Sequence, residues 1–276
     1  MKRLSSDGTA YTLAGPHGAP VVVLIHGLGL SRRLWDQLGS ELARQYRVLT
    51  YDLCGHGETA LPTRQPSLTV LSDQLCALLD LLGIQRCAII GFSLGGMISR
   101  RLAIDHPNRV AALAILNSPH ERSLEAQRLI EERAVQTTLG GPAATIDSTL
   151  ERWFTPGFRE RQPDVVALIK GWVLANNSNN FALHRRVLAS GVIELIRPAP
   201  PITAPTLVMT CENDSGSTPS MAHAIAAEIA GAQTVVVPEL QHLGMLERPE
   251  LFAMPILRFL SNLPPTCWAL PKGDKP

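Results

Sequence analysis

The stretch "RCAIIGFSLGGMISRRLAIDHP", residues 86–107, decides how the rest of this chain is read. An apolar run ends at Ile90, a serine follows between Gly91 and Gly95, and helical periodicity then runs to Pro107. A strand that turns abruptly into a helix puts its turn residue in strained backbone geometry, and the residues two positions away come too close to carry side chains. Such a turn would hold the Ser93 hydroxyl at the carboxyl edge of a sheet, over the amino end of the next helix. There a backbone N–H and the helix dipole favour negative charge as it develops. Glycine and serine are common residues, so G-x-S-x-G alone says little. The strand-type run before it and the helical run after it give the pattern its weight.

Similar runs lie on either side. "VVVLI" (21–25), "YRVLTY" (46–51), "CAII" (87–90), "AALAIL" (111–116), "TLVMT" (206–210) and "TVVVP" (234–238) show little polar alternation. Strands buried on both faces read this way, and their alternation with helical patterns predicts an α/β fold with a mostly parallel twisted sheet covered by helices. Asp7-Gly8 between short extended stretches predicts a leading hairpin. Leu68, Leu71, Leu75, Leu78, Leu79 and Leu82 predict an amphipathic helix closed by Gly83. A second is expected over 218–230, with Thr218 as N-cap and Pro219 at its first position.

The strand–helix alternation lapses from Pro119 to Pro201, where a helical, loop-rich pattern carries Trp153, Phe154, Phe158 and Trp172. The expected organisation is therefore a core formed by 1–118 and 202–263, a helical insertion at 119–201, and a C-terminal tail at 264–276 lying on the surface or disordered.

Bulk properties exclude several classes. A net charge of +1 gives no drive toward nucleic acid or an anionic membrane. No apolar stretch reaches the roughly 18 residues of a membrane span. "MKRLSSDG" has no apolar core to act as a secretory signal, so a cytoplasmic location is expected. Five scattered cysteines without a C-x-x-C pair predict neither disulfides nor zinc, and read as small apolar residues. With no metal-ligand cluster or phosphate-cradling loop, no cofactor is implied.

A serine hydroxyl becomes a useful nucleophile when a base takes its proton and an acid holds the base's tautomer. "CENDSGSTP" places Asp214 in the loop after one predicted strand, and "ELQHLGMLERPE" places His242 in the loop after the last. The chain order Ser93, Asp214, His242 is the one expected when such a triad sits on successive strand ends. Glu212 and Asp52 are rival acids. "LIHGLGL" supplies a glycine-rich loop at the end of the first parallel strand, and the oxyanion donors are assigned to the amides of Leu28 and Leu94. His26, Asp52 and His56 are read as loop braces, and Trp35 and Trp153 as core packing.

Together, "LIHGLG", "WDQL", "YRVLTYDLCGHGET", "GFSLGGMISRRLAIDHPNRV", "APTLVMTCENDSGSTP" and "QHLGMLERPE" resemble the α/β-hydrolase superfamily over nearly the whole chain. "SRRLWDQLGSELARQYRVLTYDLCGHG" and "LERWFTPGFRERQPD" are similar to 3-oxoadipate enol-lactonases, with Cys54 where those enzymes usually carry arginine. The resemblance implies a helical cap, the triad Ser93, Asp214 and His242, and a small ester or lactone as the partner molecule. A carboxylate on that substrate would call for a cap arginine, with Arg133, Arg152, Arg185 and Arg186 as candidates. A general carboxylesterase, a C–C bond hydrolase, a perhydrolase and a non-catalytic ligand-binding protein of the same fold are the alternatives.

Overall fold

The computed structural model describes residues 2–269. Its single sheet has eight strands: β1 (Lys2–Leu4), β2 (Ala10–Ala14), β3 (Val21–Ile25), β4 (Arg47–Tyr51), β5 (Cys87–Phe92), β6 (Val110–Leu116), β7 (Thr206–Cys211) and β8 (Gln233–Val237). They lie in the order β1-β2-β4-β3-β5-β6-β7-β8. The first two form the expected hairpin and pair antiparallel, and the pairs from β4 onward are parallel. Every residue of β5, β6 and β7 is buried, which requires helices on both faces. The last strand departs from its expected burial. As the sheet's edge it has one neighbour, and Gln233–Val236 stay partly or fully exposed.

The helices are α1 (Asp36–Leu42), α2 (Leu68–Leu81), α3 (Leu94–Asp105), α4 (Leu124–Gly140), α5 (Ile146–Trp153), α6 (Pro156–Arg161), α7 (Pro163–Leu174), α8 (Ser178–Ser190), α9 (Pro219–Ala227), α10 (Gly244–Glu247) and α11 (Glu250–Ser261). In α2 the leucine stripe is buried from Leu68 to Leu79, Ser67 caps the start by accepting from the Val70 amide, and Gly83 turns the chain out at φ +66°. Thr218 caps α9 as expected, but that helix stops at Ala227, short of the predicted end.

Helices α4 to α8 all fall between β6 and β7, so the interrupted pattern at 119–201 is a helical excursion from one strand end. At the C-terminus, Cys267 accepts a hydrogen bond from Arg86 Nε at 2.6 Å, and the Trp268 ring lies 6.0 Å from that of Tyr46. The predicted tail is thus docked through Trp268, and its residues 270–276 lie outside the described ones. Among the described residues no helix is long and apolar enough to cross a membrane.

Candidate active site

The turn after β5 has the geometry that its small neighbours implied. Ser93 sits at φ 55°, ψ −113°, backbone that costs a non-glycine residue on the order of 1–3 kcal/mol. Surrounding structure holds it there: its amide donates to Leu116 O at 2.8 Å, and its carbonyl accepts from Gly96 and Met97. A Cβ on Gly91 would lie 2.3 Å from Gly95 O, and one on Gly95 would lie 2.2 Å from Ile25 O on β3. Gly96, which the pattern did not single out, is constrained too, since a Cβ there would meet Ser118 Cβ at 2.6 Å.

Asp214 follows β7 and is 2% exposed. Its Oδ1 accepts from the Gly216 and Ser217 amides at 2.9 and 3.0 Å; its Oδ2 accepts from His242 Nδ1 at 2.6 Å and from Asn117 Nδ2 at 2.9 Å. Burial would push this carboxyl up, but the His242 ring and the hydrogen bonds from Asn117 and Gly216 outweigh it and hold the group below the usual carboxylate range. An ionised carboxylate can only accept, so the proton is on Nδ1 and Nε2 is the free acceptor. The imidazole lies between Phe92 and Trp153, with ring centroids at 4.9 and 6.0 Å.

Two contacts tie the His242 loop to the helical excursion. Leu243 donates to Trp153 O at 2.9 Å, and Glu247 accepts from the Thr155 amide at 2.8 Å and from its hydroxyl at 2.6 Å.

Ser93, Asp214 and His242 border one pocket between the sheet edge and the excursion. Leu28 is on its wall, and Leu94 is the first residue of α3, where amides lack an intrahelical partner. The rival acids are committed elsewhere. Asp52 pairs with Arg32 and accepts from the Glu58 amide, while Glu212 accepts from the Glu239 amide. His26 donates from Nδ1 to Gly27 O and accepts from the Leu53 amide, bracing the loop as expected. His56 lies edge-on to His184, centroids 4.7 Å apart.

Other sequence expectations separate here. Trp35 is fully buried in the core, and Trp153, at the end of α5, packs against that core while also lining the pocket beside His242. Of the four candidate arginines, Arg152 and Arg185 reach the pocket wall. Arg133 does not line it, and Arg186 points to a separate groove and donates to Thr138. Sequence reasoning missed Asn117 and Arg122. Asn117 sits directly after β6, so the strand-end rule that located Asp214 would have found it. Arg122 lines the pocket while donating to the Leu188 and Ala189 carbonyls at the end of α8.

Residues 20–183 match the family described as alpha/beta hydrolase fold, and the chain belongs to that family. It is 28% identical to 3-oxoadipate enol-lactonase 2 of Acinetobacter baylyi over 250 residues, covering 88% of this chain and 89% of that one. It is 25% identical to (E)-2-((N-methylformamido)methylene)succinate hydrolase of the same organism, covering 95% and 98%. Among solved structures, the enol-lactonase from Burkholderia xenovorans LB400 superposes with a TM-score of 0.85 at 30% identity, covering 93% and 98%.

Proposed function

We propose that this protein is a serine hydrolase that cleaves a small ester or lactone, such as an enol-lactone, through an acyl-enzyme. The observation that carries the reading is the 2.6 Å hydrogen bond from His242 to a buried, anchored Asp214, in the pocket that the strained Ser93 also faces. Ser93 Oγ attacks the ester carbonyl carbon as His242 Nε2 takes its proton, and the amides of Leu28 and Leu94 receive the oxyanion. The C–O bond breaks as His242 returns the proton to the leaving oxygen. Water, deprotonated by His242, then releases the acid and regenerates the serine. In a lactone the leaving oxygen stays tethered, so one product forms. Asp214 stays ionised throughout and holds the imidazole in the required tautomer.

In this reading residues 119–201 are a cap over the serine, and 1–118 with 202–263 are the core that carries the triad. The likeness to two named enol-lactonases supports the lactone assignment. A fluorophosphonate probe should label the purified protein at Ser93, and Ser93→Ala should not be labelled. Absence of labelling, or labelling at another residue, would sink the assignment.

Asn117 is a positioning residue in this scheme, because it shares Asp214 Oδ2 with His242. Its backbone sits at φ 45°, so Asn117→Gly removes the amide without adding strain. The expected result is a fall in kcat of about tenfold to a hundredfold, the value of one hydrogen bond to a charged group, with KM little changed. Steady-state kinetics on p-nitrophenyl acetate would measure it.

A further inference from the structure

The proposed chemistry leaves two charges unexplained. Arg152 on α5 and Arg185 on α8 line the pocket, and Arg185 is only 5% exposed. Neither forms an ion pair among the described residues. Each guanidinium has one side-chain hydrogen bond, at 3.3 Å, from Arg152 to Thr149 Oγ1 and from Arg185 to Thr145 Oγ1. The Nε of each is buried with no partner. A guanidinium offers five N–H donors, and leaving them unmet in a desolvated wall is costly. Burial pulls both side chains down to about 10, with Arg133 disfavouring the charge on each and Arg152 adding to that on Arg185. Even so, both remain protonated at neutral pH.

One acid in the wall, Asp214, favours the charge on Arg152. Among the described residues, Asp214 is the one carboxylate lining the pocket, and it is taken by His242. Arg122 is a different case, since its N–H groups are largely used on Gln127 and the carbonyls ending α8. With Arg122 the wall carries three guanidinium groups, and the two with most of their N–H donors unmet are Arg152 and Arg185, the second of them lying over the Phe181 ring at 5.4 Å. A single carboxylate would meet one of these two and leave the other guanidinium desolvated and without an ion pair.

We propose that the pocket takes a dianionic acyl group, one carrying two carboxylates that Arg152 and Arg185 bind while the scissile ester carbonyl faces Ser93. Arg–carboxylate pairing is planar and often bidentate, so each guanidinium, on its own helix, suits a carboxylate of its own. The placement of the ester rests on the hydrolase reading above; the binding of the dianion does not.

Calorimetry on full-length Ser93→Ala separates the two. Glutarate should bind at least about tenfold more tightly than butyrate, the value of one further charge-assisted pair. Arg152→Gln and Arg185→Gln should each abolish that preference, and the corresponding lysine variants should keep part of it. Equal binding of glutarate and butyrate would overturn the proposal, as would inorganic phosphate binding as tightly as glutarate. The wild-type protein needs no substitution for the second arm. Its kcat/KM should rise from p-nitrophenyl acetate to p-nitrophenyl hydrogen glutarate, and again to the p-nitrophenyl monoester of tricarballylic acid. A flat or falling series would refute the proposal. If glutarate binds as expected but no ester of any charge is cleaved, the dianion site stands and the hydrolase reading falls.

Discussion

Ser93→Ala is expected to lower kcat/KM on p-nitrophenyl esters by about 10⁴-fold or more, because nucleophile, base and acid act as a unit. The loss should not come from unfolding. Alanine carries no more bulk than serine, and the amide and carbonyl contacts that hold the turn belong to the backbone. Thermal melting of Ser93→Ala should therefore track the wild type. Ser93→Gly gives a sharper contrast. It removes the same hydroxyl but also tolerates φ 55°, so it should be equally inactive yet more stable, by up to the roughly 1–3 kcal/mol stored in the turn. Near-full activity in either variant would refute the assignment of Ser93 as nucleophile.

The second large effect concerns folding. Gly95→Ala would place a methyl 2.2 Å from Ile25 O and 2.8 Å from both Ile25 C and His26 O. These are backbone atoms of β3 and the loop after it, at the centre of the sheet, and they cannot swing aside as a side-chain tip can. The expected destabilisation exceeds the roughly 1–3 kcal/mol of ordinary overpacking. It should show as a clear drop in the urea midpoint at unchanged slope. Gly171 in α7 is the control, since a Cβ there meets nothing within 4 Å. Gly171→Ala should stabilise the protein by about 0.5–1 kcal/mol through helix propensity. If Gly95→Ala melts like the wild type, the close approach of α3 to β3 is wrong.

What could be read from the chain follows from which forces are local. Runs such as "VVVLI" and "AALAIL" announce strands because both of their faces are covered. The edge strand β8 has the same composition but different exposure, and composition cannot say which strand is last. Ser93, Asp214 and His242 were legible because each sits just past a recognisable strand, where a parallel sheet collects its loops. Trp153 and the arginines were not. Arg185 and Arg186 are neighbours about 100° apart on one helix, and only the packing of α8 sends the first to the pocket and the second to the outer groove. Asp52 and Glu212 were the rivals to Asp214 in the sequence, and the Arg32 and Glu239 contacts account for them.

The link between the His242 loop and the corner of α5 and α6 has a mechanical consequence. The Leu243 amide on Trp153 O, and Glu247 on Thr155, fasten one margin of the roof to the same loop that carries the imidazole. Asn176 on Gly29 O and Asn180 on Gly55 O fasten the same excursion again, to the loops after β3 and β4. A substitution at the α5–α6 corner should therefore be felt at the imidazole directly, because one short stretch of chain carries both His242 and the ties to Trp153 and Thr155.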